Sequence, residues 1–301
     1  MWFILSLIAL VCWSGSDLFS KIGSRPDDRL SHWKMVMAVG LVMGLHATYE
    51  VFVNGVEISW RVMAAYLPAS FLYILSMILG YVGLRYIELS ISSPICNTSG
   101  AVAAVFLFIF LREDVDLPVW IGVIFVAVGV VSLGIVEKNE DQQARDLRQS
   151  ESGIRYRKSV LALLLPILYC LIDAAGTVAD TLILDGGLNE ASANVAYEYT
   201  FLLMGIAAAV YVLIIRKDRI TVKREGPKLL GGICETAGQF AYIFAISDEA
   251  HYGSAAAIIS CYCALSVLWS RIFLKEKLSL KHYLAILTAF VGIAILGYFD
   301  A

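Results

Sequence analysis

Five carboxylates lie inside long apolar stretches of the sequence. They are Asp17, Asp173, Asp180, Glu198 and Glu235. A carboxylate at the centre of a membrane helix costs about 2.5–3.5 kcal/mol by insertion scales, so each one needs a function or a partner. The two lysines nearest to them in the sequence, Lys21 and Lys34, lie close to helix ends, where we expect them to reach the membrane interface. Acids without buried cations favour proton carriage or recognition of a cationic group, with a protonated, hydrogen-bonded acid as the structural alternative.

Aromatic and polar residues surround these acids in the sequence. Tyr197 and Tyr199 flank Glu198, and Glu235 and Gln239 are four residues apart, which places them on one face of a helix. Aromatic rings beside carboxylates are typical of sites for ammonium groups, although such residues also join membrane helices to one another. The residues predicted to bind substrate or protons are Asp173, Glu198, Glu235, Asp17, Trp13, Tyr169, Asn97, Tyr197, Gln239, Ser260 and Tyr262.

Motifs for enzyme, metal and nucleic-acid chemistry are absent from the sequence. It contains no H-E-x-x-H, no G-x-S-x-G and no glycine loop for phosphate. The four histidines are scattered and mostly near predicted helix ends, and all six cysteines lie in apolar stretches, as packing residues do. A dyad of Asp17 and Asp173 is the one hydrolase arrangement that the residue types allow. We therefore predict no enzymatic activity, no metal, no cofactor and no nucleic-acid partner.

Ten apolar stretches of helix length must position these side chains. Each is long enough to cross a hydrocarbon core of about 30 Å. Hydrophobic residues make up 59% of the 301 residues and charged residues only 16%, which is typical of a membrane protein. The stretches cover approximately 2–22, 31–53, 62–84, 90–111, 117–136, 159–184, 191–215, 227–247, 252–273 and 280–299.

Lysine and arginine residues fall almost entirely in every second gap between these stretches. The first, third, fifth, seventh and ninth gaps and their borders hold 21 of the 23, and only Arg61 and Arg112 lie elsewhere. Cytoplasmic loops of membrane proteins retain Lys and Arg. The sorting therefore predicts a multi-pass protein of the cell membrane, with a cytoplasmic linker at 138–158 and both termini outside.

The polar linker divides the chain into two halves, 1–137 and 159–301, that resemble each other. The run of 110–117 around Glu113 matches that of 273–280 around Glu276, and Gly129 corresponds to Gly292. Because each half has five stretches, an odd number, the second must cross the membrane in the opposite sense. The predicted fold is an all-α integral membrane protein of ten transmembrane helices in two inverted five-helix repeats, an arrangement typical of secondary transporters.

These features resemble the EamA-type transporters of the drug/metabolite transporter superfamily. The resemblance covers nearly the whole chain, and its motifs are the run from Trp13 to Ser16, the acidic positions Glu113 and Glu276, and the glycines of the fifth and tenth stretches. Many members are expected to keep both termini in the cytoplasm, so the predicted orientation departs from the family pattern. Small residues in the fifth and tenth stretches favour close helix packing and could also support a homodimer.

The resemblance implies a secondary transporter that works by alternating access between the two halves, and export is the direction it favours. The expected substrate is a small polar metabolite, such as an amino acid, an amine or a similar solute. The driving force is a proton gradient or the solute's own gradient. Two alternatives stay open: a carrier of nucleotide sugars or phosphorylated lipids, which would need buried Lys or Arg, and a membrane sensor or assembly protein that transports nothing.

Overall fold

The computed structural model describes residues 1–106, 108–109, 116–150, 160–246, 255, 258–259 and 261–299, and within them it is helical with no strands. The helices are α1 Trp2–Gly23, α2 Ser31–Phe52, α3 Trp60–Gly83, α4 Leu89–Cys96, α5 Ser99–Phe106, α6 Leu117–Asn139, α7 Gln142–Arg148, α8 Val160–Asp185, α9 Glu190–Ala209 with a π-helical end at Val210–Ile215, α10 Val222–Ile246, α11 Tyr262–Phe273 and α12 Leu280–Phe299.

Eight helices of the described chain are long and apolar enough to cross a membrane. They are α1, α2, α3, α4 together with α5, α6, α8, α9 with its π-helical end, and α12. The membrane class predicted from composition is therefore confirmed in this coarser form. The eighth and ninth predicted stretches correspond to α10 and α11, and part of the ninth lies outside the described residues.

Two predicted segments have a different local structure from the one expected. The fourth apolar stretch is not one continuous helix, because the chain turns at Asn97 and Thr98 between α4 and α5. The predicted linker contains the short helix α7, which Asp141 caps by accepting a hydrogen bond from the backbone nitrogen of Ala144 at 2.6 Å. Residues 151–158 of the linker, residue 159 and Glu113 lie outside the described residues.

The helices form pairs that join the first part of the chain to the second. Helix α1 packs on α10, α2 on α9, α3 on α8, and α6 on α12. At the α6–α12 contact, a Cβ on Gly292 would lie 2.6 Å from the carbonyl oxygen of Gly122. The small residues of the fifth and tenth stretches are thus used for packing within the chain, and the predicted homodimer stays a prediction.

We expect Gly40→Ala to destabilise the contact between α2 and α9. A Cβ at Gly40 would lie 2.5 Å from the carbonyl oxygen of Phe201, which is backbone and cannot rotate away. Overpacking of this kind costs about 1–3 kcal/mol, and we expect a lower midpoint of thermal unfolding in detergent. Gly134→Ala is the matched control, since nothing lies within 4 Å of its added Cβ. Equal midpoints for the two variants would contradict the close approach.

The loops of the first, third and seventh gaps meet at one end of the helix bundle, which we call the linker end. Arg85 donates hydrogen bonds to the carbonyl oxygens of Arg25 and Arg29, both at 3.3 Å. Lys34 forms ion pairs with Asp28 at 3.1 Å and with Asp218 at 2.8 Å, and it is buried rather than extended to the interface as expected. At the opposite end, the hydroxyl of Ser192 in the first turn of α9 donates to the carbonyl oxygen of Glu57 in the second gap at 2.8 Å.

Candidate functional site

A cavity of about 960 Å³ lies among the helices of the two halves. It reaches the surface at the end opposite the linker, where the exposed residues Asn54 and Glu190 line it. Its deepest described residues toward the linker end are Ser20, Leu84 and Leu89, which are 4%, 7% and 1% exposed. The cavity is therefore open at one end of the bundle and closed at the other.

Most of the predicted site residues line this cavity. Those on its wall are Trp13, Asp17, Asn97, Tyr169, Asp173, Tyr197, Glu235, Gln239 and Tyr262. Ser260 lies outside the described residues, and Glu198 is only 1% exposed and is not among the lining residues. The structure thus brings nine of the eleven predicted residues together, and their roles stay predictions.

Three central carboxylates accept hydrogen bonds from serine hydroxyls. Asp17 Oδ2 accepts from Ser93 at 2.5 Å and from Ser266 at 2.7 Å. Asp173 Oδ1 accepts from Ser76 at 3.0 Å, and Glu235 accepts from Ser16. The serines come from α1, α3, α4 and α11, so each acid is held by a different set of neighbouring helices. Asp17 and Asp173 bind different serines and do not bond to each other.

Aromatic rings cover the wall next to these carboxylates. The ring of Trp13 lies 5.2 Å from that of Tyr242 and 5.6 Å from that of Tyr262, measured between centroids. Trp13 lies directly over Gly238, where an added Cβ would be 2.5 Å from the indole ring. Tyr169 lies over Gly80 in the same way, with a distance of 3.0 Å. Each half therefore places an aromatic ring from its first helix over a glycine of the other half.

Helix α8 carries a line of polar groups from the centre of the cavity toward its open end. Asp173, Thr177 and Asp180 all line the cavity and follow one face of the helix. Asp180 Oδ1 accepts a hydrogen bond from the phenol of Tyr66 at 2.6 Å. The hydroxyl of Tyr73 donates to that of Thr177 at 3.4 Å, between the two aspartates. The two carboxylates are thus separate positions on one wall.

His46 on α2 connects Glu198 to the cavity, and sequence reasoning missed it. His46 Nδ1 lies 2.9 Å from Glu198 Oε1, and Nε2 lies 3.5 Å from Glu50 Oε1. His46 and Glu50 line the cavity, whereas Glu198 lies behind the histidine. Glu198 therefore touches the cavity only through His46. The spacing of four residues between His46 and Glu50 was the available signal, because it places both on one face of α2.

Lys21 and Glu276 bind backbone groups at the closed end of the cavity. Lys21 is 1% exposed, and its ammonium donates to the carbonyl oxygens of Leu84, at 2.5 Å, and Ile87. The carboxylate of Glu276 accepts from the backbone nitrogens of Leu89 and Ser90 at 3.2 and 3.0 Å. These nitrogens belong to the first turn of α4, where backbone donors lack partners within the helix. The expected extension of Lys21 to the interface is thus wrong.

The linker helix α7 contacts both halves at the same end through Arg148. Arg148 binds Glu88 at 2.7 Å, Glu140 at 2.9 Å and the carbonyl oxygen of Lys277 at 2.9 Å. Burial lowers the pKa of Arg148, but the hydrogen bond with Glu140 and the charge of Glu88 outweigh it and raise the pKa overall. Burial also raises the pKa of the Glu88 carboxyl, against the effect of the Arg148 charge. Arg148 therefore joins the first half, the linker and the second half.

Glu137, Glu140 and His282 form a compact group beneath α7. One ligand atom from each lies within 4.8 Å of the others, a spacing that could hold a metal ion. Arg145 is paired with Glu137, and Arg148 lies on Glu140, so the negative charge is already balanced. His282 Nε2 also lies 2.8 Å from Glu137 Oε1. We interpret this group as a structural ion-pair network that ties α6 to α12.

The charge of the cavity wall is one-sided. Six carboxylates line the cavity, and among the described lining residues there is no lysine and no arginine. Those acids are Asp17, Glu50, Asp173, Asp180, Glu190 and Glu235. Charges in a cavity of low dielectric are stable only when paired. The wall therefore favours a ligand or a bound proton that brings positive charge.

A model of the EamA-like transporter family matches residues 1–135 and 161–298, which is nearly the whole chain. The chain belongs to the EamA-like transporter family. The predicted resemblance is confirmed, and the EamA chain described here is a multi-pass integral membrane protein of a family of membrane transporters. The family match omits the linker residues between the two matched segments, and these include α7.

Two comparisons place this EamA chain among known proteins. It is 24% identical over 132 residues to the uncharacterized protein MJ1333.1 of Methanocaldococcus jannaschii, an alignment that covers 44% of this chain and 95% of that protein. A solved crystal structure of a protein superimposes with a TM-score of 0.55 at 13% identity, over 97% of this chain and 94% of the other. At that identity the second likeness speaks for the fold alone.

Proposed function

We propose that this EamA protein is a secondary transporter that moves a small polar metabolite, of the amine or amino-acid class, by alternating access. The observation that carries the proposal is the cavity, open at one end, with six carboxylates and no described lysine or arginine on its wall. A phosphate-bearing substrate would need cationic partners there, so this wall disfavours the nucleotide-sugar and phospholipid alternatives. A sensor or assembly protein would need no cavity of this size.

The pairing of helices supports an inverted repeat of ten spans. The repeat relates α1, α2, α3, α4–α5 and α6 to α8, α9, α10, α11 and α12. Under this exchange the contact of α1 with α10 becomes that of α8 with α3, and the α2–α9 and α6–α12 contacts map onto themselves. The relative from Methanocaldococcus jannaschii, aligned over 132 residues that make up 95% of its length, has about the size of one half.

A binding screen tests the substrate class. Purified protein in detergent is heated with panels of amines, polyamines, amino acids, nucleosides and sugars, and the midpoint of unfolding is recorded. A ligand that binds the folded state raises the midpoint. We expect amines or amino acids to raise it and nucleosides and sugars to leave it unchanged. A rise produced by nucleosides or sugars alone would contradict the proposal.

We propose that the linker end faces the cytoplasm, since 21 of the 23 basic residues border its loops. The cavity would then be open to the outside, and export would require its linker end to open. In a background without the native cysteines, a cysteine at exposed Gln143 should resist an impermeant maleimide in intact cells and react after lysis. A cysteine at exposed Asn54 is the matched control and should react in intact cells. Labelling of Gln143→Cys in intact cells would show that the linker end faces the outside.

A further inference from the structure

We propose that the substrate is a linear diamine or polyamine, with one ammonium group held at the central carboxylates and a second held at Asp180. The inference rests on the proposed function, since it names the substrate class of the same cavity. It adds a second binding position for an ammonium group, at the open end of the cavity and separate from the central carboxylates.

The positions of the two carboxylates on α8 carry the first step. Asp173 and Asp180 are seven residues apart and both line the cavity, so they lie on the same face of the helix, about 10.5 Å apart along its axis. One ammonium group cannot reach both. A flexible chain with an amino group at each end can span this distance, and each charge then meets a carboxylate.

The surroundings of Asp180 favour a cation. Its carboxylate accepts from the phenol of Tyr66 at 2.6 Å, and a carboxylate has about four acceptor positions, so capacity for a ligand remains. Tyr66 is 6% exposed, which fixes the phenol that orients the acid. The rings of Tyr73 and Tyr197 meet edge to face at 6.1 Å on the same wall. Aromatic faces next to a carboxylate attract ammonium groups.

The middle of the cavity suits a methylene chain. Between the two aspartates the wall presents Thr177 and the ring of Tyr73, which are weakly polar or apolar. Trp13, Tyr242 and Tyr262 cover the wall beside the central acids. Apolar contact with the methylene groups would add to the charge pairing at both ends.

An amino acid fits this wall less well than a diamine. Its carboxylate would need a cationic partner, and the one described lining residue that can carry positive charge beside the acids is His46. That histidine already faces Glu198 at 2.9 Å and Glu50 at 3.5 Å. A diamine carries only positive charges, so it can pair with a carboxylate at each position. It has no negative group that would need a cationic partner on the wall.

The test is isothermal titration calorimetry on the full purified chain with a series of linear diamines of increasing methylene number. Each diamine is compared with its monoacetylated form, which keeps the length and loses one charge. We expect the tightest binding for the diamine whose nitrogens are about 10 Å apart. We expect monoacetylation to weaken binding about tenfold, since a charged hydrogen bond of this kind is lost.

Asp180→Asn should weaken the best diamine about tenfold and leave its monoacetylated form unchanged, because the amide keeps the shape and removes the charge. Asp185→Asn is the matched control, an exposed aspartate on the same helix near the open end that does not line the cavity, and it should leave both affinities unchanged. Equal losses in the two variants, or no dependence on length and acetylation, would overturn the second subsite while the amine transporter stands. Absence of binding by diamines, monoamines and amino acids alike would overturn the proposed function as well.

Discussion

Glu235→Gln is expected to abolish proton-linked substrate flux in proteoliposomes while the purified variant keeps its fold. Glutamine keeps the shape of the side chain and can still accept the hydrogen bond from Ser16, so the substitution removes the charge alone. Loss of a charged hydrogen bond costs about 1.5–3 kcal/mol, which corresponds to a fall in affinity of about ten- to a hundredfold. The measurement is acidification of the lumen driven by a substrate gradient.

Three further variants distinguish acids that line the cavity from acids outside it. Asp173→Asn should reduce flux as Glu235→Gln does, since both acids line the cavity. Glu57→Gln, which alters an exposed carboxylate outside the cavity lining, should leave flux unchanged. Glu198→Gln should act through His46, so we expect it to change the pH profile of transport. Substrate transport that does not change with pH or with the substitutions of Glu235, Asp173 and Glu198 would contradict the proposed role of these acids.

Arg148→Ala is expected to open the linker end of the cavity. The substitution leaves the carboxylate of Glu88, 1% exposed, without its nearest ion-pair partner. Breaking a buried ion pair by removing one partner costs about 3–5 kcal/mol. This cost destabilises the conformation in which the linker end is closed. In an open conformation water can solvate Glu88, so the ratio of open to closed molecules should rise by a factor of a hundred or more.

A cysteine at Ser20, which lines the deep end of the cavity, reports the opening. Its reaction with an impermeant maleimide supplied from the linker side should rise strongly in the Arg148→Ala background. Arg148→Lys keeps the charge and should show an intermediate rise, because lysine cannot bind Glu88 and Glu140 as a planar fork does. Lys138→Ala, at an exposed basic residue before α7, is the control and should label like the parent. Unchanged labelling in all variants would show that α7 does not hold this end closed.

Charge patterning and the resemblance between the halves predicted the membrane class and the family, and nine of the eleven residues predicted for the site line the cavity. They succeeded because carboxylates and aromatic rings in apolar stretches have few places to lie other than a shared interior. They failed for Glu198, since a membrane helix is apolar toward both lipid and protein, and its pattern does not reveal which face meets the cavity. His46 was overlooked for the same reason. In the structure His46 lines the cavity and Glu198 lies behind it.

Contacts between distant parts of the chain could not be predicted. Lys21 binds carbonyl oxygens 63 and 66 residues away, in a turn that has no sequence signal for a buried ammonium group. The linker was interpreted as a polar tether from its composition. Its helix α7 binds Glu88 and the carbonyl oxygen of Lys277. These two partners are far apart in the sequence and come together only in the folded arrangement of the two halves.

The serines that hold Asp17, Asp173 and Glu235 leave each acid free to change its protonation state without a change of scaffold. A hydroxyl rotates: it donates to an ionised carboxylate and accepts from a protonated one. An amide NH2 or a backbone N–H in the same place could only donate, so it could not accept the O–H of the protonated acid. The hydrogen bonds of the three central carboxylates can thus reverse by rotation of the hydroxyl groups alone, and a change of protonation there would require no repacking of the helices that carry them.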